Sequence, residues 1–392
     1  MRSTPLRVAF IGAGNMAGLH LRALRRVSVP HTVVGVFDAN TAAARAFAAR
    51  AGAEARAFDT LAELLAEGRP DLVHVCTPAG THLAPARLAL LAGAHVYVEK
   101  PFVETRADAD ALFAAARSRG RIVCAGHQLV REPAYRRLMR RVKSLGAPAV
   151  VTSEFAFRPP KLDPARASGR ALAAQLIDVL PHPLYTLIDA LERVAPAGAP
   201  LELIHATGTP TDLHALLWAG GVTGRLQVSL RARPVASSLT VSGADGSLTA
   251  DFVRAIVTGA ANPGTSPVEK LLNPFLEAAQ LAGRSAVSLM KRFLGGGDYP
   301  GLVELLSDFY VAAATGRPSP LSVEHLRRVA ALHEDLAARV REAAAPPAPA
   351  PPRAAPRAPV AVVTGAGGFF GASVARQLAR RGFRVRGIGR GE

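Results

Sequence analysis

The chain has 392 residues, 49% hydrophobic and 20% charged, long enough for two buried cores at the usual ~100–200 residues per domain. Its formal net charge of +17 comes from arginines scattered among acids or gathered in the tail, not interleaved with base-stacking aromatics, which argues against a nucleic-acid binder. Two cysteines in strand-like runs, Cys76 and Cys124, give no disulfide framework or zinc site, and neither a ~20-residue apolar span nor a secretory leader is evident, so the expectation is a soluble, cytoplasmic protein.

Arg7 to Ile11 reads as a short buried strand that runs into Gly12-Ala13-Gly14-Asn15-Met16-Ala17-Gly18 and then a helix through Val27. In this strand, turn and helix, Gly12 suits the tight turn, Gly14 leaves room for a pyrophosphate, and Ala17 lets the helix pack closely. Backbone N–H groups at the helix start, around Asn15 and Met16, are left for phosphates. A second strand, Thr32 to Phe37, ends at Asp38, where a dinucleotide-binding unit places an acid for the adenosine ribose. Ala39 and Asn40 follow with no basic residue for a 2′-phosphate, so NAD is expected rather than NADP.

The alternation continues with a helix over 41–51, a strand over 55–58 and a helix over 60–66. An apolar strand, Leu72 to Cys76, then ends in Thr77-Pro78, and Thr81 and His82 open a helix, the first as a cap and the second facing solvent. A fifth strand, Val96 to Val98, runs into Glu99-Lys100-Pro101, and a sixth covers Ile122 to Gly126. Six strands in right-handed succession make an α/β fold with a doubly wound parallel sheet, whose ligands bind outside the carboxyl ends of the strands. Pro101 stops the fifth strand and so delivers Lys100 to that crevice, where it can donate hydrogen bonds or give up a proton.

Gly12-Ala13-Gly14, His20, Asp38, Thr77-Pro78 with His82, Gly93 and Glu99-Lys100-Pro101 stand in the order and spacing of the Gfo/Idh/MocA oxidoreductases, which the chain resembles from about Leu6 to Val340. The resemblance implies an NAD-binding Rossmann domain over residues 1–126, with Thr77, Pro78, His82, Glu99 and Lys100 beside the cofactor. It implies next a substrate-binding and oligomerisation α/β domain over 127–343, with a large, open, mostly antiparallel sheet. It also sets Lys100 near the nicotinamide and the reacting sugar carbon.

His127-Gln128-Leu129-Val130-Arg131 resembles the family's crossover between domains, and His127, Gln128 and Arg131 are candidates bordering the substrate cleft. Past a strand over 150–157, Asp178 and His182 stand four apart, on one face if the segment is helical. They match a family pattern of Asp, Gly two on, His four on and a second Asp three beyond; Leu180 replaces the glycine and Tyr185, a further substrate candidate, replaces the second acid. Pro181 and Pro183 bracket the histidine and are expected to kink the helix. A histidine titrating near neutrality can exchange the hydroxyl proton as hydride moves, with Asp178 orienting it or the substrate. No third ligand accompanies the pair, so no metal is expected.

Residues 201–252 read as antiparallel strands, one face on helices and the other, by resemblance, a subunit interface in a homodimer or homotetramer. Leu271 to Leu294 carries apolar residues at helical spacing, with glycines 295–297 closing it; a core helix is favoured over a lid or an interfacial helix. Residues 344–359 form an Ala/Pro-rich linker. Beyond it, Thr364-Gly365-Ala366-Gly367-Gly368-Phe369-Phe370-Gly371 resembles the start of an extended short-chain dehydrogenase/reductase of the sugar-nucleotide epimerase type. Residues 360–392 hold one partial βαβ unit, too short for a core, so it is not expected to fold alone; either the chain is the front of a fusion with such a module or the tail is a remnant of one. The function expected is NAD(H)-dependent oxidation or reduction of a sugar or nucleotide-sugar hydroxyl or ketone. A redox-neutral enzyme with recycled NAD and a non-catalytic NAD-binding scaffold are the alternatives.

Overall fold

Glycine turns and side-chain caps punctuate the first third of the chain. In the computed structural model, which describes residues 4–158, 167–261, 266–293, 299–345 and 359–389, each turn or cap ends a strand or starts a helix. β1 (Leu6–Ile11) leads to α1 (Asn15–Leu24), β2 (His31–Phe37) to α2 (Thr41–Ala51) and β3 (Arg56–Phe58) to α3 (Leu61–Gly68). β4 (Leu72–Val75) leads to α4 (Leu83–Leu91), and β5 (His95–Val98) to α5 (Arg106–Ser118), before β6 (Val123–Ala125). Asn40 caps α2, Thr60 and Glu63 form a capping box on α3, and Thr105 caps α5, each satisfying backbone donors that a helix start leaves unpaired. The strands form one parallel sheet in the order β3-β2-β1-β4-β5-β6, the doubly wound arrangement expected. Strand order reverses at β1, so the crevice at its carboxyl end is where a ligand belongs.

α6 (Pro133–Arg141) precedes β7 (Pro148–Ala156), and α7 (Gly169–Val179) and α8 (Pro181–Val194) precede a run of strands. These are β8 (Leu201–Gly208), β9 (Asp212–Ala219), β10 (Val222–Ser229), β11 (Ala236–Gly243), β12 (Gly246–Asp251) and β13 (Ile256–Ala261). The second sheet runs β13-β12-β11-β7-β10-β9-β8, antiparallel except where β7 meets β10. It is the open, mostly antiparallel sheet expected, with β13 as an edge strand that the sequence pattern did not reveal. Leu213 and Leu217 of β9 point into the core while Leu216 and Trp218 lie on the open face, the alternation that a sheet covered on one side requires. α8 covers the buried face.

α9 (Pro267–Phe293), α10 (Leu302–Thr315) and α11 (Val323–Ala343) follow. α10 packs on α1, and α11 packs on α5, α7 and α8, so both sheets share one core within residues 1–345. The expectation of a core helix at Leu271 is overturned: α9 is a surface helix, with Phe275 74% exposed. Glycines 295–297, Leu294 and most of the linker lie outside the described residues. The expected kink around His182 is instead a helix end and a new start at Leu180. Pro181 and Pro183 occupy the first turn of α8, where N–H groups have no intrahelical acceptor, so neither breaks a bond within it. The carbonyl of Ile177, which Pro181 cannot serve, lies 3.4 Å from His333 Nε2 of α11. The apolar stretch 169–194 is long enough to cross a membrane by composition, but it is this interrupted pair of largely buried helices.

Residues 346–392 form a separate unit. In it β14 (Val360–Thr364), α12 (Phe369–Arg380) and the parallel β15 (Arg384–Ile388) make a βαβ unit, so the secondary structure forms where no independent folding was expected. The want of a core is nonetheless visible: Val363 is the one buried apolar residue among those described there, and Phe369 and Phe370 are bare.

Candidate active site

At the carboxyl end of β1, Gly12 has φ +94, and a Cβ there would sit 2.7 Å from the Cys76 carbonyl oxygen. Only glycine fits. At Gly14 a Cβ would meet nothing within 4 Å, which is open space over the turn. Ala13 N–H donates to Asp38 Oδ2 (2.7 Å) and Asn40 N–H to Oδ1 (2.8 Å), so Asp38 clasps the turn while keeping lone pairs for a ribose hydroxyl. Ala17 is fully buried under α1, whereas Asn15 is exposed and Met16 half-buried. No side chain caps α1 and no acid stands in its first turn, leaving its leading N–H groups for an anion. This cradle fits a dinucleotide.

Thr77 Oγ1, at the end of β4, is buried and has no hydrogen-bond partner among the described residues, as a group awaiting a ligand would be; Pro78 beside it is exposed. His82 does not face solvent. It is 1% exposed, with Nδ1 2.8 Å from the Pro101 carbonyl and Nε2 2.8 Å from that of Thr77, and so ties the ends of β4 and β5 together.

Glu99 is buried as well. Its Oε1 lies 2.8 Å from His20 Nε2, and Oε2 accepts from Lys100 N–H at 3.1 Å. The chain continues inward, His20 Nδ1 to His74 Nδ1 (2.8 Å) and His74 Nε2 to the Tyr310 hydroxyl (2.8 Å). One assignment satisfies every link: Tyr310 O–H to His74, His74 Nδ1–H to His20, and His20 Nε2–H to the carboxylate. Burial pushes the Glu99 carboxyl upward, but the hydrogen bonds from His20 and the Lys100 N–H outweigh it and hold the group below the usual carboxylate value. Burial above all keeps His74 neutral. Neither His74, inside an apolar run, nor Tyr310, 236 residues on, carried a sequence signal for this role.

Lys100 is held from the other side. Its Nζ donates to the backbone oxygen of Asp178 at 3.1 Å and to Oδ1 at 3.2 Å. Asp178, at the end of α7, thus pairs with the lysine. His182 is held instead by Tyr185, its Nδ1 3.1 Å from the hydroxyl, and stacks on Phe155. Burial, aided by the Lys100 charge, lowers His182 to about 3, well below the neutral range expected. Tyr185 is fully buried, accepts from Leu129 N–H at 3.3 Å and stacks on His127. It positions His182 and is not open to a substrate.

The crossover candidates separate. His127 is fully buried with Nδ1 3.2 Å from His325 Nε2, while its Nε2 and the buried amide of Gln128 form no good hydrogen bond among the described residues. Arg131 donates to Asp308 (2.8 Å) and to the Pro320 carbonyl (2.8 Å), a structural clamp in place of a cleft contact. Asp189, Glu192 and His325 gather within 4.8 Å, but Arg193 and Arg328 already pair the two carboxylates.

The geometry has its counterpart in comparisons. The model of the Gfo/Idh/MocA oxidoreductase family, NAD-binding Rossmann fold, matches residues 6–127. UDP-N-acetylglucosamine 3-dehydrogenase of Acidithiobacillus ferrooxidans is 36% identical over 160 residues, 40% of this chain and 48% of that protein, so the match spans about half of the relative. Inositol 2-dehydrogenase 1 of Saccharopolyspora erythraea is 28% identical over 271 residues, 63% of this chain and 80% of that protein. The solved WlbA dehydrogenase of Bordetella pertussis, in complex with NADH and UDP-GlcNAcA, shares the fold over 87% of this chain and 97% of its own, with a TM-score of 0.67 at 18% identity. These matches show that residues 6–127 carry the NAD-binding Rossmann fold of the Gfo/Idh/MocA oxidoreductase family, and that most of the rest of the chain resembles dehydrogenases in fold.

Proposed function

We propose that the protein is a dehydrogenase that exchanges hydride between NAD and a hydroxyl-bearing carbon of a sugar or nucleotide sugar. The observation that carries the reading is Lys100, fixed at a strand end between buried Glu99 and Asp178, beside a glycine turn that fits the cofactor. When bound, NAD supplies the hydride acceptor for the carbinol carbon. Lys100 holds the substrate oxygen through an N–H donor, and Asp178 aims the lysine. His182, neutral, takes the hydroxyl proton when the alcohol is oxidised and returns it when the ketone is reduced. Gln128 and His127, both fully buried, form the wall behind the substrate cleft, and Thr77 meets the cofactor. The names of the dehydrogenase relatives support the substrate class.

Residues 1–126 act in this reading as the cofactor domain and 127–343 as the substrate and assembly domain. Trp218, Leu216 and Ile204, exposed on the open sheet face, support a homodimer or homotetramer paired through that face. The Gly365, Gly368 and Gly371 turn of the βαβ unit supports a fusion with an epimerase-type module; intact mass of the native polypeptide, if it equals that of 392 residues, removes that idea.

Lys100→Ala is expected to lower kcat by ~10²–10⁴-fold with NAD affinity within a few-fold of wild type. Undiminished turnover of a sugar-nucleotide panel by this variant rules the assignment out. Mass spectrometry of ligands retained on purification identifies the substrate class directly.

A further inference from the structure

α9 is docked by the face that a core helix would turn to solvent. Asn273, Gln280, Arg284 and Ser288 lie on one side and bond backbone groups of 254–261. Asn273 Nδ2 donates to Ala261 O (3.0 Å), Gln280 Nε2 to Gly259 O (2.9 Å), Arg284 to Val257 O and Ser288 to Arg254 O. The helix thus supplies β13, the edge strand, with partners that another strand would otherwise bring. Its opposite side is apolar and bare: Val268, Leu271, Phe275, Met290 and Phe293 are 61, 71, 74, 64 and 83% exposed. Spaced at helical intervals over most of the helix, they form one stripe of a kind that soluble surfaces rarely leave uncovered.

Charge identifies what covers it. A cavity of about 1600 Å³ opens between α6, β13 and α9, with Arg137, Arg140, Arg141 and Lys291 on its walls and Leu276 and Val287 of α9 on its floor. Pairing two copies of the chain through the stripe would bring these cations together, with only Glu132 and Glu304 lining each cavity to offset them. Anionic lipid headgroups would neutralise them while the stripe enters the acyl boundary, as interfacial helices do.

We infer that α9 is a membrane-docking helix: its apolar stripe seats the enzyme on an anionic phospholipid surface, with lipid phosphates on the arginines of the adjoining cavity. The inference concerns a face apart from Lys100 and does not depend on the proposed reaction. The test is co-sedimentation of the full chain with phosphatidylcholine vesicles with and without phosphatidylglycerol. Wild type is expected to bind the anionic vesicles at least about tenfold more tightly than the neutral ones. Leu271→Glu/Phe275→Glu/Phe293→Glu should lose that binding by about tenfold or more, with melting temperature and NAD affinity unchanged because all three side chains are bare. Arg140→Glu/Arg141→Glu should remove the preference for anionic lipid. Wild type left in the supernatant, a triple-Glu variant that binds as wild type does, or a wild-type dimer that the triple exchange splits without any vesicle binding would each overturn the inference.

Discussion

Gly12 sets the first demand at the level of single residues. A methyl group there meets the Cys76 carbonyl at 2.7 Å on a backbone with positive φ, so Gly12→Ala is expected to cost at least about 1–3 kcal/mol and to weaken NAD binding. Thermal melts and cofactor titration measure both, and an unchanged melting point would contradict the geometry. His182 makes a different demand. With its value lowered to about 3 by burial and the neighbouring Lys100 charge, it stays neutral through the physiological range. The acid limb of kcat/KM should therefore show no inflection from this ring between pH 6 and 8. A neutral-range inflection that vanishes in His182→Gln would show the ring to be far less desolvated than it is here. The glycine turn, Asp38 and Lys100 were legible because their geometry is local. The role of Tyr185 was not: its hydroxyl acquires meaning only when α8 brings it under His127 and beside His182.

Helix ends and edge strands decide the next level. Local pattern found nearly every strand of both sheets, since alternation and turn residues act over a few positions. It missed β13, which is short, glycine-containing and, among the described strands, paired only with β12. It also misjudged the prolines around His182, because a proline in a helix interior and one in a first turn read alike until the helix boundary is known. The join between α6 and α8 rests on Asp189, which accepts from the buried Tyr135 hydroxyl and pairs with Arg193 at 2.5 Å. Asp189→Ala leaves that hydroxyl without its acceptor and should destabilise the protein by about 1–3 kcal/mol. Urea unfolding of Asp189→Ala beside Tyr135→Phe/Asp189→Ala checks this: if the hydroxyl is the cause, the second exchange recovers part of the loss.

Across the whole molecule, buried histidines couple stability to pH. His74, His127 and His182 are all lowered from the usual 6.5, first of all by burial. Below about pH 6.5 the unfolded chain binds protons on these rings that the folded chain refuses, so their contribution is whole above that pH and is lost as pH falls. Each ring contributes a slope of up to about 1.4 kcal/mol per pH unit. The melting temperature should drop from pH 7 to pH 5, and a level profile would show that the rings are not held neutral. Glu99, lowered by His20, adds a loss in the same direction at more acidic pH, below its usual 4.5. Residues 346–392 form a unit of their own, so a chain ending at Ala345 should keep the melting temperature and NAD affinity of the full protein. Loss of either in the truncated chain would mean that the second unit supports the first.

Sequence alone determined the parallel sheet and all of the second sheet but β13, the order of those elements along the chain, the glycine turn from Gly12 to Ala17 with Asp38 after it, and the delivery of Lys100 to a strand end. Each follows from steric and hydrogen-bonding rules acting over a few residues or one βα unit. Tertiary structure decided what those groups touch. It buried Glu99 and His82 as braces, joined Glu99 through His20 and His74 to Tyr310, gave Asp178 to Lys100 and Tyr185 to His182, and turned the apolar face of α9 outward. Those outcomes depend on which distant segments meet and on how much water the meeting excludes, and burial, which sets both the protonation of His182 and the exposure of α9, exists only once the chain has packed.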